Sequence, residues 1–182
     1  YDKNFTTPDR FKGGIIYQIF PDRFNKAEID LKAVPDDREI RTDWGELPRW
    51  EPNKNGKVTN SDYFCGNLKG IEEKLPYLAD LGISCVYLNP IFKAYSNHRY
   101  DTGNYKEIDP ILGDDKDFVH LCKTAETFGI KVILDGVFNH VGRDFFAFKD
   151  LQENEYTSQY KDWFYVNFSG TSPYNDPFSY EG

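Results

Sequence analysis

Three short apolar runs, each followed by a polar stretch, divide the first 140 residues of the chain. The runs cover residues 15–20, 85–88 and 130–134. Apolar runs of about four to eight residues that end at turn-forming residues are typical of buried strands. We therefore predict three strands, and we expect the third to be buried on both faces.

The spacing of apolar residues changes between the second and third runs. From residue 114 to residue 128 they fall three and four positions apart and Gly129 follows, which predicts a helix. A shorter helix is predicted at 76–81, which a proline opens and a glycine follows. Residues 21–66 and 91–113 show no clear period, so we predict a long loop at each.

The alternation of strand, long loop and helix favours an α/β fold with a parallel sheet and right-handed crossovers. Both loops then leave the carboxyl ends of strands, where such proteins place their ligand sites. The pattern breaks after residue 140. We predict a polar linker or processed tail at 1–12, the repeating part of an α/β domain at 13–140, and the unfinished start of an inserted subdomain at 141–182.

Charge and composition narrow the classes of function. A formal net charge of −8 repels phosphate backbones and disfavours nucleic acid as a partner. The sequence has no apolar run long enough to span a membrane and no signal-peptide pattern, and it lacks methionine, so we expect a processed N-terminus. Cys65, Cys85 and Cys122 lack metal-ligand spacing and favour reduced thiols, hence the cytoplasm over secretion.

Polar residues that could bind a ligand follow the third run, and two tryptophans lie in the first long loop. Asp135, Asn139 and His140 leave the third predicted strand together, which indicates a ligand site. Alternatively, Asp135 caps a turn and His140 is a surface residue, and spacing alone leaves both interpretations open. Trp44 and Trp50, in the first loop, either contact a ligand or pin the loop to the core.

Four motifs occur in order along the chain. They are YQIFPDRF at 17–24, YFCGNLKGI at 63–71, NHRYDTGNY at 97–105 and DGVFNH at 135–140. Together they resemble conserved regions of the α-amylase superfamily of glycoside hydrolases. FFAF at 145–148 and KDWF at 161–164 are most similar to the neopullulanase and cyclomaltodextrinase branch. The resemblance covers nearly all of residues 13–182.

The resemblance implies a (β/α)₈ TIM barrel, of which the chain holds the first three strands and two helices, followed by the start of a subdomain inserted after strand 3. It implies an α-glucan oligosaccharide as substrate. The side chains that it assigns to substrate binding are His140, Tyr100, His98 and Asp101. His140 would hydrogen-bond the glucose at the cleavage point, and Tyr100 would stack beneath its ring. Asp135 and Asn139 would support this site.

The resemblance implies no required cofactor, but it suggests a site for a structural Ca²⁺ ion. In the branch named above, calcium lies between the loop after the first strand and the segment around Asn67. Asn25 and Asn67 would supply oxygens here, although the helix-loop-helix calcium spacing is absent. The resemblance also suggests that the full-length enzyme forms a homodimer.

The catalytic carboxylates are missing from the sequence. Retaining glycosidases need a nucleophile and an acid about 5–5.5 Å apart. The family's nucleophile pattern, G-x-R-x-D, does not occur in these 182 residues. We therefore predict a fragment that carries part of the substrate site, no catalytic residue and no activity alone. The alternatives are Asp101 and Asp135 as a catalytic pair, a non-catalytic α-glucan-binding module, a transglycosidase of the same family, and one chain of a partner-completed barrel.

Overall fold

A computed structural model describes residues 3–28, 34–36 and 38–180 of the chain. Within them the strands are β1 (Ile16–Ile19), β2 (Glu39–Ile40), β3 (Asp62–Tyr63), β4 (Cys85–Leu88), β5 (Phe92–Ala94), β6 (Thr102–Ile108), β7 (Lys131–Leu134), β8 (Val166–Asn167) and β9 (Ser179–Tyr180). The α-helices of the same residues are α1 (Leu68–Glu73), α2 (Leu75–Asp80), α3 (Asp115–Thr127) and α4 (Phe146–Asn154). The outermost residues of the predicted tail and subdomain, 1–2 and 181–182, lie outside the described ranges.

The centre of the fold is a parallel sheet in the order β1-β4-β7. Ile16 lies opposite Cys85, and Cys85 lies opposite Lys131. The three predicted strands and the mixed α/β class are thus confirmed. Because the strands run in one direction, their carboxyl ends share one edge of the sheet, and both long segments leave the sheet there.

The main apolar core packs α1, α2 and α3 against the sheet. Its fully buried members include Ile19, Leu68, Ile71, Leu75, Leu78, Val86, Leu88, Leu121 and Ala125. The helix predicted at 114–128 is confirmed as α3, and a capping box explains its start. The Asp114 carboxylate accepts the N–H groups of Lys116 and Asp117, and the Asp117 carboxylate accepts the N–H of Asp114. Such a cap is worth about 1 kcal/mol.

The helix predicted at 76–81 is confirmed as α2, and another short helix, α1, precedes it. The first, α1, begins after Asn67, whose side chain accepts the N–H of Gly70 at 2.8 Å and caps the helix. The second, α2, follows Lys74 directly and has its proline in the first turn. Because proline lacks an N–H and clashes with the preceding turn, α1 cannot continue through Pro76 as one helix. The prediction of two helices before residue 140 was therefore wrong.

A β-hairpin occupies much of 91–113, which was predicted to be a loop. Strands β5 and β6 pair antiparallel, and the register shifts on both sides of Lys93. The shifts break the strict alternation of apolar and polar residues by which a strand is recognised in sequence. The prediction failed for this reason, and the hairpin gives the segment around residues 95–101 a rigid base.

The third strand is less buried than its apolar run predicted. All four residues of β7 are half-buried. Within the described residues β7 pairs with β4 alone, so it forms an edge of the sheet. A strand at the edge of a sheet has a neighbouring strand on one side only, which leaves its side chains partly exposed. The prediction of burial on both faces was wrong for this reason.

Residues 141–180 have an apolar cluster of their own. Phe148, Leu151 and Phe178 are its buried members, and α4 and the antiparallel pair β8–β9 surround it. The segment touches the hairpin at Gly142, whose N–H donates to Thr102 O at 2.8 Å. A Cβ at Gly142 would overlap the carbonyl oxygen of Asp101, so glycine permits this close approach.

Two predictions from composition concern the state of the cysteines and a possible membrane span. Cys65 and Cys85 are free and buried, and Cys122 is free and half-buried. Burial raises the pKa of the Cys65 thiol to about 11, so it stays protonated at neutral pH. Among the described helices, none is long and apolar enough to cross a membrane.

Candidate functional site

Asp135 is the first residue beyond β7, and Tyr100 from the hairpin segment reaches it. The Tyr100 hydroxyl donates to Asp135 Oδ2 at 2.9 Å. Burial raises the pKa of Tyr100 to about 12, and the bond to Asp135 adds to this effect. The phenol therefore keeps its proton at neutral pH, and Asp135 fixes the orientation of its ring.

His98 lies beside Tyr100, with ring centroids 5.8 Å apart and planes inclined by 34°. Its Nδ1 accepts the N–H of Tyr100 at 3.1 Å and lies 3.0 Å from Ser96 Oγ. Because Nδ1 accepts a backbone N–H, the proton of the neutral ring belongs on Nε2. Burial lowers the pKa of His98 and Asp101 opposes the shift, so the ring is neutral at pH 7 and offers Nε2–H as a donor.

Asp101 is occupied within its own turn. Its carboxylate accepts the N–H of Ser96, at 3.1 Å to Oδ2, and also a hydrogen bond from Ser96 Oγ. Asp101 thus holds the turn that presents His98. The two carboxylates of the alternative catalytic pair, Asp101 and Asp135, are each engaged by a different protein partner.

His140 and Asn139 are exposed at the end of the segment that Asp135 begins. Asn139 Nδ2 lies 3.4 Å from His140 Nδ1. Tyr105 of β6 bonds this segment to the hairpin, since its hydroxyl contacts the carbonyl oxygens of Val137 and, at 3.1 Å, of His140. In the described part of the chain no hydrogen bond or ring contact joins the side chains of His140 and Tyr100.

The structure therefore brings together Tyr100, His98 and Asp135 by direct contacts, with Asp101 behind them. It ties the backbone of His140 to the same hairpin and leaves the imidazole of His140 open to solvent. The assignment of these side chains to a substrate stays a prediction.

Arg99 has a role that the sequence did not reveal. It is fully buried between the two site residues that flank it, with a φ of 61°. Its Nε lies 3.0 Å from Asp109 Oδ2, and its Nη1 donates to Asn97 O at 2.8 Å. Asp22, in the loop after β1, adds a second buried negative charge. The only signal in sequence was a basic residue inside a motif, and burial cannot be deduced from that.

The amides of Asn25 and Asn67 make hydrogen bonds within the chain. Asn67 Oδ1 accepts the N–H groups of Gly70, at 2.8 Å, and Ala27, at 3.3 Å. Asn25 Nδ2 donates to Gly70 O at 2.9 Å. These bonds fasten the first long loop to α1. Among the described residues no three His, Cys, Asp or Glu side chains gather to hold a metal ion, and calcium stays a prediction from the resemblance.

The structure places an aromatic, an imidazole and a carboxylate group near the carboxyl edge of a parallel sheet, and the sequence match specifies the family of this α/β protein. The family described as "Alpha amylase, catalytic domain" matches residues 18–181. The chain belongs to the alpha-amylase family, and the resemblance noted from its motifs is confirmed.

Individual relatives narrow the comparison. The amylopullulanase of Thermoanaerobacterium saccharolyticum is 42% identical, over 94% of this chain and 15% of its own length. Neopullulanase 2 of Thermoactinomyces vulgaris is 43% identical, over 89% of this chain and 26% of its own. The branch assigned from residues 145–148 and 161–164 is thus represented among the relatives.

A solved structure is also similar. The cyclic alpha-maltosyl-(1→6)-maltose hydrolase of Arthrobacter globiformis, in complex with cyclic alpha-maltosyl-(1→6)-maltose, superposes with a TM-score of 0.79 at 36% identity, over 96% of this chain and 36% of that one. Such neighbours imply a partial TIM barrel. The chain spans 15% and 26% of the lengths of the two curated relatives named above.

Proposed function

We propose that this chain is part of a glycoside hydrolase that cleaves α-glucosidic bonds of maltodextrins, cyclodextrins, pullulan or starch with retention of configuration. It forms the first three strands of a (β/α)₈ barrel and the start of the subdomain inserted after strand 3. Its relatives include an amylopullulanase and a neopullulanase, and one structural neighbour holds a cyclic maltosyl-maltose. The observation that carries the proposal is the contact of Tyr100 with Asp135, which fixes an aromatic ring at the carboxyl edge of the sheet.

Each side chain suits one part of a glucose ring. The apolar C–H face of the sugar rests on Tyr100, whose hydroxyl is held by Asp135 and so cannot rotate freely. His98 offers Nε2–H to a sugar hydroxyl. His140, exposed at the end of the same segment, hydrogen-bonds the glucose at the cleavage point, and its dipole responds to the oxocarbenium-like transition state.

The two catalytic carboxylates come from elsewhere in the full-length enzyme. Retention requires a nucleophile and an acid about 5–5.5 Å apart. The chain has no G-x-R-x-D pattern, and Asp101 and Asp135 are bonded to Ser96 and Tyr100. We therefore expect the 182-residue chain alone to release no reducing sugar.

The test measures release of reducing sugar from maltodextrin, β-cyclodextrin and pullulan by the full-length protein and by this chain alone. In the full-length protein His140→Ala is expected to lower kcat/KM by about a hundredfold, as loss of a preorganised donor to the transition state does. His120→Ala is the matched control, because His120 lies on α3 and bonds to Glu72 at 2.7 Å. Equal activity of both variants would contradict the role of His140, and turnover by the isolated chain would contradict the fragment proposal.

A non-catalytic α-glucan-binding module is the second candidate. Its support is that the chain gathers sugar-binding side chains without the nucleophile pattern. Calorimetric titration of the full-length protein with maltotriose separates the two: binding that Tyr100→Ala abolishes, without any turnover of the sugar, would favour the module. Sustained turnover with release of free reducing ends separates a hydrolase from a transglycosidase.

A homodimer of the full-length enzyme and a cytoplasmic location complete the proposal. The free thiols of Cys65, Cys85 and Cys122 support a reducing compartment. Light scattering after size-exclusion chromatography tests the dimer.

A further inference from the structure

A recess lies in the first long loop, and none of its lining residues belongs to the candidate site. Its volume is about 160 Å³. Its lining residues are Arg23, Trp44, Gly45, Glu46, Pro48 and Phe64. Pockets for drug-sized ligands take about 300–1,000 Å³, so this recess suits a single small ring.

The aromatic wall of the recess is fixed from behind and open in front. Trp44 meets the buried Phe64 edge to face, with centroids 6.0 Å apart and planes at 86°. Arg41 lies over the Phe64 ring at 5.0 Å, so that Phe64 is held by a cation. Trp44 remains 46% exposed. An indole that served only to pin the loop would bury most of its surface, and this one keeps about half of it for another partner.

The chemistry of the recess suits a neutral polyhydroxylated ring. Indole offers a flat apolar surface to the C–H face of a pyranose. Arg23 and Glu46 place a donor group and an acceptor group at the rim, and these match sugar hydroxyls, which both donate and accept. An anionic ligand is disfavoured, because Glu46 and the net charge of −8 repel it.

Contacts join the recess to the candidate site. Arg41 Nη1 lies 3.3 Å from Asp62 Oδ2, and Asn97 Nδ2 donates to Asp62 O at 3.0 Å. Asn97 immediately precedes His98 in the chain. Arg23, which lines the recess, is close enough to His98 that its positive charge, beside the larger effect of burial, lowers the pKa of the imidazole. Arg23 is therefore a common neighbour of the recess and of His98.

We propose that the Trp44 recess is an accessory subsite that binds a glucosyl unit of the same α-glucan chain, at a distance from the bond that is cleaved. The proposal rests on the proposed function, because it needs a glucan in the site. Trp44 stacks on the remote glucose, and Arg23 and Glu46 bond its hydroxyls. A substrate then gains from the recess only if it is long enough to reach it.

The test compares substrates of two lengths in the full-length protein that carries this chain. Trp44→Ala is expected to lower kcat/KM for maltoheptaose by about fivefold, the size of one aromatic stacking contact, and to leave kcat/KM for maltotriose within about twofold. Trp44→Phe keeps an aromatic face and is expected to restore most of the loss. Trp50→Ala is the matched control, because Trp50 lies on the same loop, is 67% exposed and does not line the recess.

The outcomes separate the recess from the proposed function. Equal losses on both substrates, or no loss on either, would show that Trp44 supports the loop only and would overturn the subsite while the glucan-cleaving function stands. Failure of the unmodified full-length protein to cleave either sugar would overturn both. A length-dependent loss in Trp44→Ala that Trp50→Ala does not share supports the subsite.

Discussion

Arg99 and Arg143 each pair with an aspartate, but the two pairs are built in opposite ways. Arg99, in the segment that carries His98 and Tyr100, is fully buried, and its Nη2 has no hydrogen-bond partner in the described residues. Arg143, at the root of the 141–180 segment, is 39% exposed and grips Asp176 through two bonds of 2.7 and 2.8 Å. Tyr180 adds a third bond at 2.6 Å.

The difference separates positioning from stabilisation. A buried ion pair loses most of its attraction to desolvation, so the Arg99–Asp109 pair is a poor source of stability. It does fix a backbone with positive φ between two candidate site residues. The Arg143–Asp176 pair has the two-pronged geometry that makes a charge-assisted bond strong, and it closes a segment whose apolar core is small. The first pair shapes the candidate site, and the second holds the 141–180 segment together.

The largest effect is expected from Arg99→Ala. The change leaves the buried carboxylates of Asp109 and Asp22 without their cation, which costs about 3–5 kcal/mol of unfolding free energy. The midpoint of urea unfolding of the full-length protein measures it.

A double variant shows whether charge is the cause. Arg99→Met with Asp109→Asn removes the charges of the pair and keeps the Oδ1 that accepts the N–H of Ile111 at 3.0 Å. We expect the share of the loss that comes from Asp109 to return, while the carboxylate of Asp22 stays buried without Arg99. An equal loss in the single and double variants would assign the effect to packing instead, and the contrast with Arg143 would fail.

A smaller effect is expected from Arg143→Ala. It removes a bidentate charge-assisted contact with Asp176, which costs about 1.5 kcal/mol after allowance for the exposure of the guanidinium. Hydrogen exchange should rise at amides of α4 and stay constant in β4. Arg143→Lys keeps the charge without the planar fork and is expected to recover only part of the protection. Unchanged exchange in α4 would show that the pair does not hold this segment.

The smallest expected effect is a loss of stability of the 141–180 segment at acidic pH. The hydrogen bonds from Arg143 hold the pKa of Asp176 well below its usual 3.8. A lowered folded-state pKa stabilises the fold above about pH 4, and this contribution fades as the pH falls. Between pH 5 and pH 3 the unfolded chain gains the proton first, which removes about 1 kcal/mol from the segment. Exchange rates in α4, corrected for intrinsic pH dependence, should show this slope in the unmodified protein and lack it in Asp176→Asn. Equal slopes in the unmodified protein and in Asp176→Asn would show that Asp176 is not the titrating group.

The sequence predicted those parts of the fold whose signal is local. The three strands are short apolar runs, and α3 carries both a periodic apolar face and its own cap at Asp114. The hairpin β5–β6 was missed because its bulged register hides the alternation. The helix α1, which precedes the one predicted at 76–81, depends on the cap at Asn67, and this cap is recognised only with its partner Gly70.

The candidate site was predictable only in part for a related reason. Asp135 stood out because it ends a strand, but its bond to Tyr100 joins residues 35 positions apart. The burial of Arg99 depends on Asp22 and Asp109, which come from two other segments. The resemblance of the motifs to a known family identified which residues belong to the candidate site. The contacts between these residues are seen only in the folded chain.

Gly142 has a consequence for any exchange of the 141–180 segment for another. Its missing side chain lets the root of the segment rest directly on Asp101 O, one residue from Tyr100. In a graft that begins with any larger amino acid, the added side chain would overlap Asp101 O and push the hairpin and the transplanted segment apart. Swapped segments should therefore keep this glycine, and its replacement by alanine adds a single carbon atom at the point where the two parts meet.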